Sequence, residues 1–245
     1  MFRGKTEIRD AYRDTGVATQ YVDKRFHAPL GAMLHDRQLQ LLRRLIAEHQ
    51  PRRVLEIAPG PARLTVGVAP VLNGSSLTLM DASAQMLTEA RRRLGNGRIT
   101  YVHGDAFSLP FAGHFDLVYT FRLVRHFDVA DRLSMLKEIA RVTRRGALLV
   151  FDAVNRVVSE PLRAAAPEEY KHFDALMNPE SIREEIETSG FTLESLVGVQ
   201  HRYPLLNFVQ VYVGPRSPSL ARSVMEVVDR SGGKPLEWIV VCRRV

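Results

Sequence analysis

Val54-Leu55-Glu56-Ile57-Ala58-Pro59-Gly60-Pro61-Ala62-Arg63-Leu64-Thr65 runs an apolar segment into a turn of small residues and prolines. Arg53–Ile57 follows Pro51 and reads as a first strand. Residues 58–62 read as the turn, and 63–71 as a short helix. Small residues there let a ligand approach the backbone, and a helix N-terminus offers N–H groups that no intrahelical carbonyl takes. Many α/β proteins turn this way, so the stretch gains meaning only from what surrounds it.

Outward from it, strand and helix patterns alternate. Residues 76–80 read as a second strand, and Ser83 as the N-cap of a helix with Met86, Leu87, Ala90 and Leu94 at helical spacing. Gly95-Asn96-Gly97 ends that helix. Residues 99–102 and 115–119 read as the third and fourth strands. Residues 131–143 form the clearest helix, with Leu133, Leu136 and Ala140 on one stripe and Gly146 as a stop. Residues 147–151 are apolar throughout, as a strand buried on both faces should be. A helix opens at Pro179, and 192–199 and 237–242 supply two last strands. This alternation implies βαβ units. The expected fold is α/β, Rossmann-like and doubly wound, with a mostly parallel seven-stranded sheet whose last strand is antiparallel.

The chain reads as a single domain over 1–245. Residues 1–50 are an N-terminal helical segment, marked by Leu39, Leu42, Leu45 and Ile46, and 51–154 form a ligand-binding core. Segments 155–178 and 200–234 leave the repeating pattern. Insertions in such a scaffold sit at the ligand end of the sheet, so both are expected to cover a pocket. They hold Tyr170, Phe173, Met177, Tyr203, Phe208 and Tyr212, which suit an apolar or ring-bearing molecule.

Acids recur at strand ends. Asp81 closes the second strand, where a carboxylate can accept hydrogen bonds from a ribose diol. In Gly104-Asp105-Ala106 an acid follows the third strand, placed to accept from an exocyclic amine such as that of adenine. Alone, Asp81 could equally be a cap and Asp105 a turn residue. Phe115–Phe121 and the helix running into Gly146 complete five elements in order. A dinucleotide oxidoreductase would share the turn and the second-strand acid, but not the Gly104-Asp105-Ala106 element.

With those residues assembled, the chain resembles the class I S-adenosylmethionine-dependent methyltransferases, particularly the small-molecule branch around the ubiquinone and menaquinone C-methyltransferases. The resemblance covers roughly 39–193. The family's acid-x-Gly-x-Gly-x-Gly turn is met by Glu56-Ile57-Ala58-Pro59-Gly60-Pro61-Ala62, where Ala58 and Ala62 replace the outer glycines. The resemblance implies S-adenosyl-L-methionine as cofactor, held by Glu56, Ala58, Pro59 and Gly60. Asp81 and Ala82 fall at the ribose, Met86 on adenine, Gly104, Asp105 and Ala106 at the adenine edge, and Phe121 by the methionine moiety. His126, just past the fourth strand, falls on the acceptor side as a catalytic base. His103 is a poorer base candidate. Arg122 and Arg125 flank the same strand end and are expected to bind an anionic acceptor. The bland alternative pairs one of them with Asp128 or Asp131.

Composition narrows the rest. The net charge of +7 raises nucleic acid as a partner, but no basic run with interleaved aromatics stands out. Nor does an Asn/Asp-Pro-Pro-aromatic motif follow the fourth strand, so nucleic acid is not the expected partner. A small-molecule acceptor is expected. No apolar stretch is long enough for a membrane span, the first ten residues carry no apolar signal region, and a single cysteine, Cys242, fits a cytoplasmic location. The eight histidines show no paired ligand spacing, so no metal is expected. Two rival readings stay open: a non-catalytic S-adenosylmethionine-binding protein, and an RNA methyltransferase.

Overall fold

A computed structural model of the chain describes residues 28–95, 97–170 and 174–245. The N-terminal residues read for a signal, Asn96 of the helix stop, and Phe173 of the expected cover lie outside them. Helix α1, Pro29–His49, precedes β1, Arg53–Ile57. The one-turn helix α2, Thr65–Val68, leads to β2, Ser76–Asp81, then α3, Ala84–Leu94, and β3, Ile99–His103. β4, Phe115–Thr120, is followed by α4, Val129–Val142, and β5, Thr143–Asn155. α5, Arg156–Ala165, β6, Leu176–Met177, α6, Pro179–Thr188, and β7, Phe191–His201, come next. α7, Tyr203–Tyr212, and α8, Pro218–Arg230, precede β8, Pro235–Arg244.

The sheet runs β3-β2-β1-β4-β5-β8-β7, with the two-residue β6 paired to β5 as an eighth strand. β1 to β5 pair in parallel, and β8 is antiparallel to both β5 and β7. This is the expected Rossmann-like α/β sheet with one small strand added. One face carries α1, α2 and α3 over Val54, Leu79 and Tyr119. The other carries α4 and α6 over Leu55, Val118, Phe151 and Val240. Alternation along each strand sends neighbouring residues to opposite faces, and both faces are apolar because both are covered.

Three local differences have physical causes. The helix expected over 63–71 is one α-turn, Thr65–Val68, followed by a 3-10 turn, Ala69–Val71. Pro70 has no N–H to donate, which shortens the run. β5 is longer than 147–151, starting at Thr143 where α4 ends. Gly146 therefore lies inside a strand. Phe115 faces Thr143 and Leu117 faces Leu148, so the extra residues bulge out, and Gly146 takes the left-handed conformation there, φ +80°.

Caps follow their side chains. Ser83 Oγ accepts from the Met86 N–H at 3.3 Å, and Asp128 Oδ1 accepts from the Asp131 N–H at 2.9 Å. Asp128 is thus a helix cap rather than a partner for Arg122 or Arg125.

Candidate functional site

The carboxyl ends of β1, β2, β3 and β4 border a cavity of about 350 Å³. Its walls take Glu56, Ala58, Pro59 and Gly60 from the first turn, and Asp81, Ala82 and Met86 from the second. Gly104, Asp105 and Ala106 follow β3, and Phe121, Arg122 and His126 follow β4. Every expected site residue except Arg125 lines this one space. A crevice outside the strand ends, where the strand order reverses between β1 and β4, is where open α/β sheets bind ligands.

The first turn is a left-handed device. Ala58, Gly60 and Ala62 have φ of +54°, +56° and +61°. The outer positions thus adopt glycine-like backbone although both are alanine, at a cost of about 1 kcal/mol each. Gly60 shows why the centre stays bare. A Cβ there would meet nothing closer than Met86 Sδ at 4.0 Å, so the space beside it is open to a ligand.

Asp81 is tied to this turn. Its Oδ2 accepts from the Gly60 N–H at 3.0 Å and its Oδ1 from the Ser83 N–H at 2.9 Å. Burial pushes its carboxyl up to about 6, against those hydrogen bonds and the charge of His103. Each oxygen has further accepting capacity. Glu56, near the end of β1, is also buried. Its Oε2 accepts from Thr65 Oγ1 at 2.5 Å and from Tyr119 Oη at 2.8 Å. Burial raises its carboxyl to about 7, with those two donors and Arg63 opposing. Burial and the nearby Glu56 push the Tyr119 phenol well above its ordinary value.

Asp105 is exposed, and its Oδ1 accepts from the Phe107 N–H at 3.0 Å. It is a turn carboxylate and a lining residue at once. His103 bonds to Ala82 O at 3.1 Å on the exposed side and does not line the cavity.

Beyond β4 the chain makes a 3-10 turn, Val124–His126. Arg122 has φ +64°, and its N–H donates to Asp152 Oδ1 at 2.6 Å. His126 Nδ1 lies 3.6 Å from Asp174 Oδ1, and Arg163 Nη2 donates to Asp174 Oδ2 at 2.7 Å. Burial pushes the Asp174 carboxyl up, but Arg125, Arg163 and His126 outweigh it and hold the group below its ordinary value. Ala175 N–H donates to Arg125 O at 2.6 Å, and β6 continues the edge of β5 beyond β4. Those two links tie residues 175–177 to the β4 loop and to β5.

Arg125 departs from its expected place. It is only 3% exposed, pairs with Asp152 and donates from Nη1 to Glu237 Oε1 at 2.9 Å. Both carboxylates stand on the sheet, on β5 and β8, so Arg125 fastens the β4 loop to the strands instead of lining the cavity. Two carboxylates in low dielectric hold a guanidinium more firmly than a passing ligand could.

Sequence reasoning missed Arg63. It lines the cavity, with Nη1 3.0 Å from His35 Nδ1 and Nη2 donating to Gln38 Oε1 at 2.7 Å, both on α1. Its position one residue past the turn was a signal, but the α1 partners come from far earlier in the chain. Among the described residues, segments 155–178 and 200–234 supply no lining side chain. Met177 is core, and Tyr203 packs with α1, α7 and α8.

Comparison with known proteins agrees with this geometry. Residues 54–146 match a family described as a methyltransferase domain. A demethylmenaquinone methyltransferase of Thermotoga maritima is 38% identical over 111 residues, 44% of this chain and 45% of that protein. A malonyl-[acyl-carrier protein] O-methyltransferase of Enterobacter lignolyticus is 33% identical over 113 residues, 45% of this chain and 43% of that protein. The chain thus matches less than half the length of these relatives. The crystal structure of magnesium protoporphyrin IX methyltransferase from Synechocystis PCC 6803 with bound SAH superposes with a TM-score of 0.71 at 14% identity, covering 99% of this chain and 100% of that one. That likeness is one of fold. Residues 54–146 are thus similar to a methyltransferase domain, and the chain shares its Rossmann-like fold with the superposed structure.

Proposed function

We propose that the protein transfers a methyl group from S-adenosyl-L-methionine to a small-molecule or carrier-linked acceptor. One observation carries the reading: the cavity that gathers Glu56, Gly60, Asp81, Met86, Asp105 and Phe121 from four successive strand ends. The residues suit the cofactor. Asp81 is a buried carboxylate at the cavity wall with accepting capacity left for a diol, and Gly60 leaves open space where the backbone must come close. Met86 and Phe121 supply apolar surface for rings and chain.

The cofactor supplies a methyl group already activated on a sulfonium, so the protein's own work is to bind, orient and exclude water. Asp81 holds the ribose end and Glu56 lends a polar wall near the first turn. His126 faces the acceptor side and takes up the proton of an acceptor hydroxyl or amine, with Asp174 behind Nδ1. Arg122 is the remaining anchor for an anionic acceptor group. Segment 155–178 bounds the acceptor side through Asp174. The names of the relatives, which include methyltransferases of a quinone and of a carrier-bound malonyl group, support an acceptor of this breadth.

Calorimetric titration with S-adenosylmethionine and S-adenosylhomocysteine tests the core of the proposal. Binding is expected for the wild type, and Asp81→Ala should weaken it by about 1–3 kcal/mol, because two hydroxyls lose a buried acceptor. Equal affinity in the variant removes the ribose role, and no binding by a folded wild type removes the function.

A further inference from the structure

Helix α7 is apolar on two sides. Leu206 and Val209 are buried against Leu30 and Met33 of α1 and Ala221 and Met225 of α8. On its other side Leu205, Phe208, Val211 and Tyr212 are 46%, 55%, 51% and 56% exposed. Leu205, Phe208 and Tyr212 stand at i, i+3 and i+7, so they form one stripe, and the rings of Phe208 and Tyr212 are 4.6 Å apart. Residues 203–215 contain no charged side chain, and Arg202 and Arg216 bracket them. A helix that meets only water on that face would carry charges there.

A second apolar surface adjoins the start of α7. Val158, Pro161 and Leu162 of α5 form a groove with Tyr203 and Pro204. Arg202 and Lys234 stand at the same groove. Among the described residues no carboxylate pairs with Arg202, Arg216 or Lys234. Glu160 is the one acid of α5. Val157, at the start of that helix, is 54% exposed.

We propose that α7 and the α5 groove beside it dock the protein on an anionic lipid surface. The apolar stripe enters the acyl boundary, and Arg202, Arg216 and Lys234 meet the headgroup phosphates. At ten residues, α7 is about 15 Å long, too short to span a bilayer and suited to lie in the plane of the interface. The pattern of apolar stripe, aromatic rings and bracketing cations is complementary to anionic lipid. A symmetric second copy fits less well, because it would set Arg202 and Arg216 of both chains on one small face. Lipid binding is read independently of methyl transfer, so each can fail without the other.

Flotation with vesicles tests it, using equal parts phosphatidylglycerol and phosphatidylcholine against phosphatidylcholine alone. The wild type should float with the mixed vesicles and much less with the neutral ones. Phe208→Ser/Tyr212→Ser should lower that partition by about tenfold or more, and Arg202→Glu/Lys234→Glu should lower it and remove most of its salt sensitivity. A second readout does not depend on disruptive variants. The only tryptophan, Trp238, is buried, so in Phe208→Trp the new indole is the one exposed reporter, and its emission should shift to the blue on the mixed vesicles. No flotation, or no blue shift from the indole placed on α7 by Phe208→Trp, overturns the proposal. So does an unchanged partition in the serine pair. A wild-type dimer that the serine pair dissociates, in analytical ultracentrifugation, also overturns it and makes the face a contact between copies.

Discussion

Glu56 and Asp81 end neighbouring strands, and burial holds their carboxyls at about 7 and about 6. Both sit above their unfolded values, so the folded protein binds these protons more tightly. Their contribution to stability is complete below the unfolded values and is lost as pH rises through about 6 and about 7. For Glu56 the window runs from about 4.5 to about 7 and is worth on the order of 3 kcal/mol. Glu56→Gln should flatten urea-unfolding free energy against pH over that window, because one amide oxygen can still accept from Thr65 and Tyr119. A slope equal to wild type means the proton is held elsewhere. Cofactor affinity should run the other way. A protonated Asp81 offers a diol one acceptor fewer, so binding should weaken as pH falls below about 6, and the calorimetric pH profile of Asp81→Asn should be flat there. At this scale most of the site was legible, because strand-end acids are adjacent in sequence to the strands that place them. Arg125 was not. Its position beside Arg122 gave no sign that Asp152 and Glu237, from two later strands, would enclose it.

α4 and α6 cover one face of the sheet, and a single polar clamp joins them. Arg132 Nε and Nη2 donate to Glu185 Oε2 and Oε1 at 2.8 and 2.5 Å, and Nη1 donates to Phe127 O at 2.7 Å. Arg132 and Glu185 are both buried, within a helix pair otherwise held by Met135, Ile139, Ile182 and Ile186. Glu185→Ala leaves a buried guanidinium with one carbonyl for company. We expect a loss of about 3–5 kcal/mol by denaturant unfolding, against a much smaller loss for Glu184→Ala one position along on the exposed side. Equal losses would show that helix propensity, not the clamp, sets the cost. The apolar stripe of α4 was plain in the sequence, since Leu136 and Ala140 recur at helical spacing. The clamp was not, because a charged residue at 132 reads as solvated until the partner helix is placed. The same limit explains β5. Nothing in 143–146 alternates like a strand; pairing with β4 at Thr143 extends one end of β5, and pairing with β8 as far as Val154 extends the other.

Across the molecule, one buried triad ties the ligand end together. Arg125 on the β4 loop meets Asp152 on β5 and Glu237 on β8, and Asp152 also accepts the Arg122 N–H. Arg125→Met should leave two carboxylates unpaired and cost about 3–5 kcal/mol. For a chain of this size that lowers the melting temperature by roughly 10 °C. The loss should appear in calorimetry without any ligand present, which separates it from Arg122→Ala, expected to melt near wild type. A normal melting temperature for Arg125→Met would mean the carboxylates are protonated or reached by water. The strand order holds a further consequence. β8 lies between β5 and β7, yet it is translated after both. A ribosome that has made residues 1–234 has therefore delivered β7 with no strand to receive it, while β1 to β5 already have their neighbours. The nascent chain can close its first five strands early, at the usual pace of domain folding during synthesis, but must keep β7 and its helices waiting. Chaperone dependence and proteolytic sensitivity should concentrate in that interval, and a stall or frameshift before residue 235 should release a half-closed sheet rather than a slightly shortened protein.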